Sequence, residues 1–305
     1  MKVITTAGNK GGIGKSTVAL TLAQYFAGSK NMKGVFIDLD PQGNSSSSLI
    51  SMARDPVHPT GYMPKPHPEW DPNNVPEDDP HWDGISSIAD IFIGRPIYPY
   101  PTWLENLQCF PSFASLLEDA QRVLKVDVKE KVINRLKEFT TLLSVHSDYE
   151  FIIIDTNPQF GPLTMAGLRA ATHGLLPTEL EQYGVNGTIG MIEAISQEQL
   201  RRPKDDSIQI AGILPNQFRR TSVHRKFLND LHEIEGEENL LLPPIALRTI
   251  YTELVVDDAK PNCVFNLPPS NPARIESEKW CQHVYERVFE NTYNTSFELD
   301  EVIHG

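Results

Sequence analysis

The chain has 305 residues, of which 40% are hydrophobic, and this is enough for one large α/β domain with a buried core. Its formal net charge of −13 excludes a surface that is basic all over, so contact with nucleic acid would need a local basic patch. The three cysteines form no C-x-x-C pair and no stretch reaches about 18 apolar residues, so we expect no disulfide framework, no zinc or iron–sulfur site and no membrane-spanning helix.

The first predicted elements are a strand over 3–7 and a helix over 18–26, separated by the glycine-rich sequence GNKGGIGKST. Glycines let successive backbone N–H groups approach phosphate oxygens, which a Cβ would obstruct. A lysine adds positive charge, a serine hydroxyl suits Mg²⁺, and the helix N-terminus favours an anion. The pattern predicts a Mg²⁺-nucleotide site at Gly11, Gly12, Gly14, Lys15, Ser16 and Thr17.

The loop departs from the pattern G-x-x-x-x-G-K-[ST] because Asn9 stands where a glycine is usual. Residues 10–17, KGGIGKST, resemble the deviant Walker A box of the ParA/MinD family of ATPases. The resemblance implies that ATP drives homodimer formation and that Lys10 reaches the phosphates held by the other subunit, where Lys10 and Lys15 take part in catalysis. The alternative interpretation is that Lys10 is an ordinary solvated lysine.

The second predicted strand begins at Gly34 and leads into Asp38, Asp40 and a turn. Ligands collect at the carboxyl ends of parallel strands, so we expect both acids to face the phosphate loop. The sequence DLDPQGN resembles the family's second motif, which implies that Asp40 orients the attacking water and that Asp38 lies near the Mg²⁺ shell. Turn capping would account for one of these acids but less well for both.

Residues 53–83 contain eight prolines, three histidines and two tryptophans, and they are predicted to form an inserted, largely extended surface loop. The spacing of the histidines matches no metal-ligand pattern. The tryptophans suggest that the loop packs on the body of the protein or on a partner.

The remaining predicted elements are a helical pattern over 85–92, a strand over 107–110, helices over 113–143, a strand over 151–155, a helix over 161–173, a strand over 174–178, a helix over 183–199, a strand over 208–214 and a final helix over 271–289. Asp155 ends an apolar strand in the manner of a Walker B motif and is predicted to hold Mg²⁺. Asn157 replaces a proline that the family usually has, which predicts an altered turn with the metal site kept. Asn216 is assigned to adenine recognition by the resemblance, although asparagine after a strand is commonly a turn residue.

The densest basic run of this acidic chain is FRRTSVHRK, residues 218–226. ParA-like relatives carry DNA-contacting arginines here and near a later strand, which implies that Arg219, Arg220 and the displaced match Arg248 bind DNA. Cations at a suitable spacing are enough for contacts with phosphates. A solvated helix start is the alternative interpretation of this run.

Together these elements predict an α/β fold, a mainly parallel twisted sheet with helices on both faces. We expect one P-loop domain over 1–290 and an acidic, polar tail over 291–305; only seven residues precede Gly8, so no helix-turn-helix is expected there. The resemblance implies a weak ATPase, stimulated by a ParB-like or other centromere- or cargo-binding adaptor, whose ATP-bound sandwich dimer binds nonspecific DNA during plasmid or chromosome partition.

Other functions fit the same resemblance. Positioning of a protein cargo uses the same chemistry and cannot be separated from partition by sequence. A MinD-like membrane ATPase would need a basic amphipathic C-terminal helix, whereas the tail here is acidic. An iron protein of the nitrogenase type would need paired cysteines. We therefore expect a cytoplasmic, nucleoid-associated protein without membrane contact.

Overall fold

A computed structural model describes residues 1–77, 79–235, 239–254 and 262–292. The described strands are β1 (Lys2–Thr6), β2 (Gly34–Asp38), β3 (Met52–Arg54), β4 (Tyr62–Pro64), β5 (Tyr100–Pro101), β6 (Leu107–Phe110), β7 (Phe151–Asp155), β8 (His173–Glu179) and β9 (Gln209–Asn216). The described α-helices are α1 (Lys15–Gln24), α2 (Asn44–Leu49), α3 (Asp90–Ile93), α4 (Ala114–Gln121), α5 (Val126–His146), α6 (Pro162–Ala170), α7 (Gln182–Arg201), α8 (Ser222–Glu235), α9 (Ile250–Glu253) and α10 (Pro272–Phe289). Seven of the strands form a mainly parallel sheet, which confirms the predicted fold class.

The chain divides into two compact units, and the single domain over 1–290 stays a prediction. The first unit contains residues 26–171 together with Met1 and Val3, and the second contains Lys2, residues 4–25 and the chain from 172 onward. The predicted acidic tail lies, from residue 293 on, outside the described residues. Within the described part of the chain, no helix combines the length and apolar character needed to cross a membrane.

In the first unit the strands lie in the order β5-β6-β2-β7, and only β5 runs antiparallel to its neighbour. All five residues of β2 and of β7 are buried, as expected for strands with both faces covered. Gly34 is required at the start of β2, because a Cβ there would lie 2.2 Å from the Phe151 ring. The parallel register brings Asp38 opposite Asp155, so both strands end in an acid at the same level.

The proline-rich segment over 53–83, for which the sequence predicts a largely extended surface loop, belongs to the first unit. It contains most of β3 and all of β4, which pair antiparallel. Asp55 is buried and accepts hydrogen bonds from the backbone N–H groups of Val57 and Ser115. His58 contacts Glu118 of α4 at 2.8 Å. The segment thus packs on the body of the first unit, one of the two possibilities that its sequence raises, and most of its described residues are exposed or half-buried.

In the second unit β1, β8 and β9 are parallel neighbours. Trp280, Val284 and Val288 of α10 are fully buried, which confirms the predicted core face of the final helix. Arg287 on the same helix is also fully buried, and its guanidinium donates to several backbone carbonyls, among them that of Ala211 on β9. This arginine ties α10 to the sheet through hydrogen bonds to carbonyl groups.

Two predicted helix boundaries are wrong for local reasons. The pattern over 85–92 forms an α-helix only over Asp90–Ile93, whose N-cap Ala89 supplies no side-chain cap; the Asp90 carboxylate accepts from the Ser87 backbone N–H, which precedes the helix. The first helix begins at Lys15, directly after the loop, and ends in a π-helical turn over Tyr25–Ser29.

Candidate nucleotide site

The glycine loop of the second unit adopts the backbone that its sequence predicts. Gly12 and Gly14 have φ angles of +82° and +81°, which side-chain-bearing residues rarely adopt. Gly14 is also the N-cap of α1 and supplies no side-chain cap to the helix. The N–H groups of the first turn, from Lys15 to Thr17, are therefore suited to bind an anion at the helix N-terminus.

Lys15 lies at the base of this loop and is 6% exposed. Its Nζ donates to the carbonyl oxygen of Lys10 at 3.2 Å. An ammonium held against the loop backbone is positioned to bind phosphate oxygens that enter from the same side. Ser16 follows directly, in the first turn of α1.

Lys10 is paired with two carboxylates that sequence reasoning did not find. Its Nζ contacts Glu179, and it lies 3.4 Å from Glu181. The hydrogen bond with Glu179 raises the pKa of Lys10. Glu179 ends β8 and Glu181 follows it, at the place where ligands of a parallel sheet collect, and this position was the available sequence signal.

Asn9, which stands where a glycine is usual, packs its side chain against α7. A Cβ on Gly187 would lie 2.2 Å from the Asn9 Oδ1, and a Cβ on Gly190 would lie 3.9 Å from the Asn9 Nδ2. The glycines of α7 thus leave room for a side chain at position 9. The loop accommodates an asparagine because Gly187 of α7 has no side chain at the point of contact.

A pocket of about 280 Å³ lies beside the loop within the second unit. It is lined by Gly12, Gly14, Thr17, Val18, Thr21, Asn216, Gln217, Ile245, Ala246, Leu247, Arg248, Tyr251, Thr252 and Trp280. The carboxamide of Asn216, predicted to recognise adenine, lies in this wall but is engaged at both ends. Its Nδ2 donates to the Ile13 carbonyl at 2.8 Å and its Oδ1 accepts from the Gln217 N–H at 2.9 Å.

The three arginines predicted to bind DNA have different surroundings. Arg219 and Arg220 are exposed and lie just before α8. Arg248 instead lines the pocket and forms a two-pronged ion pair with Glu276, with nitrogen–oxygen distances of 2.6 and 3.2 Å. The structure thus places Arg248 in the pocket wall, apart in environment from the exposed pair.

In the first unit, three acids follow or end two buried strands. Asp38 and Asp155 are fully buried and Asp40 is 8% exposed. Asp38 accepts from the backbone N–H and the hydroxyl of Ser46 at 2.8 and 2.7 Å, and Asp155 accepts from the Ser45 hydroxyl at 2.6 Å. Sequence reasoning missed these serines, although the run NSSSS directly after the acids was the signal.

The charges of these acids repel one another. Burial raises the pKa of Asp38 well above its ordinary value, and the nearby carboxylates of Asp155 and Asp40 raise it further. Serine hydroxyls neutralise no charge, so a cation would relieve this repulsion. Carboxylate oxygens are the ligands that Mg²⁺ prefers, and the donor set therefore fits that ion.

The acids do not form a metal cage by themselves. Within the described ranges, no group of three or more histidine, cysteine, aspartate or glutamate side chains is arranged to hold a metal ion. Mg²⁺ in nucleotide sites usually takes one or two carboxylates and completes its shell with water and phosphate oxygens. The Asn157 Oδ1 accepts from the Gln159 N–H at 2.5 Å in the turn that follows Asp155.

The sequence of this chain is similar to a known protein family and to known proteins. A family model described as an AAA domain matches residues 1–210. A chromosome partitioning protein ParA of Myxococcus xanthus is 27% identical over 219 residues, which are 71% of this chain and 65% of the relative; the chain thus spans just under two thirds of that protein.

Two solved structures are similar in fold. The ATP complex of a McdA variant from Cyanothece has a TM-score of 0.69 and 20% identity, covering 94% of this chain and 95% of that one. A putative plasmid partition protein from Borrelia burgdorferi bound to AMPPNP has a TM-score of 0.65 and 19% identity, covering 94% and 99%. The chain belongs to the AAA-domain family that matches it, and within that family to the ParA/MinD group of P-loop ATPases.

Proposed function

We propose that this chain is a ParA-type ATPase for plasmid or chromosome partition. ATP drives formation of a sandwich homodimer, the dimer binds DNA without sequence preference, and an adaptor protein stimulates slow hydrolysis and release. The observation that carries the proposal is the glycine loop with two lysines, Lys10 and Lys15, in one preformed phosphate-binding backbone. The names of the Myxococcus and Borrelia proteins, both partition proteins, support the biological role.

Several groups of the second unit are suited to ATP. The N–H groups of the loop and Lys15 bind the phosphates, and Ser16 offers its hydroxyl to Mg²⁺. The adjoining pocket of about 280 Å³ takes the adenosine half, because its lining of aliphatic and aromatic side chains suits a flat base. Asn216 stays our candidate for the base edge, since its Oδ1 keeps a second lone pair.

The acids of the first unit supply the metal and water functions in this proposal. Asp38 and Asp155 would hold Mg²⁺, directly or through water, and the bound ion would supply positive charge to the phosphates. Asp40 orients the attacking water. Lys10 leaves Glu179 and binds the phosphates of the partner subunit's nucleotide, so its present ion pair describes the monomer.

The exposed arginines Arg219 and Arg220 carry the contact with DNA phosphates. Dimer symmetry doubles them, so a few cations give measurable affinity in a chain of net charge −13. Arg248 contributes little to this contact, because Glu276 already satisfies its guanidinium in the pocket wall.

The experiment is binding of a nonspecific duplex with ATP, with ADP and without nucleotide, at one fixed moderate salt concentration. We expect the duplex to bind only in the presence of ATP. The double variant Arg219→Glu/Arg220→Glu should lose this binding while it keeps ATP-dependent dimer formation. Its matched control is Arg201→Glu/Lys204→Glu, which reverses two exposed cations at and after the end of α7 and should bind DNA within about twofold of the wild type.

Salt dependence sharpens the result. Removal of one arginine–phosphate interaction should reduce the slope of log affinity against log salt by roughly 0.9, so the neutral variants Arg219→Gln and Arg220→Gln should each flatten the plot. A dimer that forms with ATP and ignores duplex DNA at low salt would contradict the partition function and leave the ATPase assignment intact.

A further inference from the structure

Two consecutive amide side chains at the end of β9 donate to two consecutive carbonyls of the phosphate loop. The Asn216 Nδ2 lies 2.8 Å from the Ile13 oxygen, and the Gln217 Nε2 lies 2.6 Å from the Gly12 oxygen. We call this pair of contacts the amide clamp. It was not visible in the sequence, because it joins residues about 200 positions apart.

The backbone around the clamp is specialised to make it. Gln217 has a φ of +56°, a left-handed conformation that is uncommon for a residue with a side chain. A Cβ on Gly14 would lie 2.2 Å from the Asn216 Nδ2, so the clamp needs a glycine there. Strained backbone of this kind persists where the surrounding structure requires it, and it concentrates at functional sites.

The next residue fixes the clamp in place. The Phe218 N–H donates to the Ile245 carbonyl at 2.8 Å, and its own carbonyl accepts from the Leu247 N–H at 3.0 Å. With both backbone groups bonded, this part of the chain cannot follow a moving loop. The clamp therefore holds the loop to a fixed support.

The clamp also fixes the direction of the loop's donors. In a trans peptide unit the C=O and the N–H point in opposite directions. The Gly12 carbonyl shares its peptide plane with the Ile13 N–H, and the Ile13 carbonyl shares its plane with the Gly14 N–H. Carbonyls drawn toward Gln217 and Asn216 therefore turn these two N–H groups away from β9, as a bound phosphate requires.

We propose that Gln217 is a positioning residue for phosphate binding. Together with Asn216, it holds the carbonyls of Gly12 and Ile13 toward the end of β9 before nucleotide binds. The inference rests on the proposed binding of ATP and ADP to this loop. It assigns to Gln217 no contact with the phosphates themselves. Its effect is on preorganisation, so it scales with the phosphate part of the ligand.

The test compares ADP with adenosine on the full chain. The variant Gln217→Met keeps the length and neutrality of the side chain and removes the donor, and Gln217→Gly also removes the side chain but relieves the φ strain. One hydrogen bond of about 1 kcal/mol corresponds to a roughly fivefold weaker ADP affinity in each variant. Because Gln217 also lines the pocket, adenosine affinity is followed by NMR titration alongside, and it should fall clearly less than ADP affinity.

The matched control is Gln182→Met, which removes a surface glutamine that donates to Asn186 at 3.2 Å. It should leave both affinities unchanged. Equal losses for ADP and adenosine would overturn the proposal, because Gln217 would then act only through the pocket wall and not through the phosphate loop. Unchanged ADP affinity in both Gln217 variants would also overturn it, whereas failure of the wild type to bind ADP would overturn the proposed function itself.

Discussion

The two compact units differ in the partners that their charged side chains have in the absence of ligand. In the second unit the cation Lys10 already has carboxylate partners, and the Lys15 ammonium donates to a backbone carbonyl. In the first unit Asp38 and Asp155 accept hydrogen bonds from neutral serine hydroxyls, and the pKa of Asp38 is raised by burial and by its acidic neighbours. The difference indicates that the charge of Lys10 is compensated without ligand, while the acidic half gains from a cation.

The comparison also separates mobile from fixed groups. Lys10 is about one third exposed on a flexible stem, so it is free to exchange one anion for another. The carboxylates of Asp38 and Asp155 sit on buried strands in register and cannot move apart. Relief of their repulsion must therefore come from protonation, substitution or a bound cation.

The largest expected effect is at the phosphate-binding half. Lys15→Ala removes the ammonium at the base of the loop and should lower ATP hydrolysis by at least about 100-fold, as removal of a preorganised charged group typically does. The control Lys65→Ala changes an exposed lysine of the first unit and should keep wild-type turnover. Steady-state ATPase assays at saturating Mg²⁺ measure both; turnover within threefold of wild type in Lys15→Ala would contradict the loop assignment.

In the acidic half, removal of one carboxylate charge should lower ATP hydrolysis and raise the stability of the metal-free protein. Asp155→Asn should lower Mg²⁺-dependent hydrolysis by about 100-fold. The same change removes a negative charge beside Asp38 and keeps an acceptor for the Ser45 hydroxyl, so the metal-free protein should unfold at a higher temperature. Differential scanning calorimetry in EDTA checks this; a lower unfolding temperature would mean that the acids are not in electrostatic conflict.

The two units should also differ in the sign of their pH dependence. Burial and the charge of Lys2 lower the pKa of His173 in the second unit from 6.5 to about 4. The unfolded chain then binds more protons than the folded one between these values, so roughly 3 kcal/mol of stability present above pH 6.5 is lost as the pH falls toward 4. Asp38 has a raised pKa, and its penalty is present at high pH and relieved on acidification.

Urea unfolding between pH 4 and 8 tests this opposition. His173→Gln should flatten the loss of stability on acidification, and Asp38→Asn should raise stability most at the upper end of the range. The control His146→Gln changes an exposed histidine at the end of α5 and should reproduce the wild-type profile. A His173→Gln profile parallel to the wild type would contradict the buried, neutral state of that histidine.

The smallest expected effect concerns the ion pair between Lys10 and Glu179. Glu179→Gln should strengthen ATP-dependent dimer formation about threefold, because an ion pair of this partly exposed kind contributes less than about 1 kcal/mol. Analytical ultracentrifugation in ATP measures it, with Glu181→Gln as the weaker, more exposed comparison. Weaker dimerisation in Glu179→Gln would show that Glu179 supports the dimer and does not compete with it.

Much of the fold and of the site backbone could be predicted from the sequence. The conformations of Gly12 and Gly14, the acids at the ends of β2 and β7, and the buried face of α10 all follow from local pattern. These features share a cause, since glycine freedom, continuous apolar runs and helical spacing are properties of neighbouring residues.

The partners of the site residues could not be predicted. The Lys10–Glu179 ion pair, the Ser45–Asp155 hydrogen bond and the Arg248–Glu276 pair each join separate parts of the chain. Their signals are present only as residue types near strand ends, as with Glu179 at the end of β8. Distance in sequence hides which of several polar residues is the partner.

The central claim, that ATP makes this chain dimerise through Lys10, is tested most directly by the sedimentation coefficient of Asp40→Ala with Mg²⁺-ATP. That variant is expected to bind ATP without hydrolysing it. The account predicts a dimer with ATP, a monomer with ADP, and a monomer in both nucleotides when Lys10→Ala is added. A monomer in Asp40→Ala at saturating ATP, or a dimer that persists after Lys10→Ala, would contradict it.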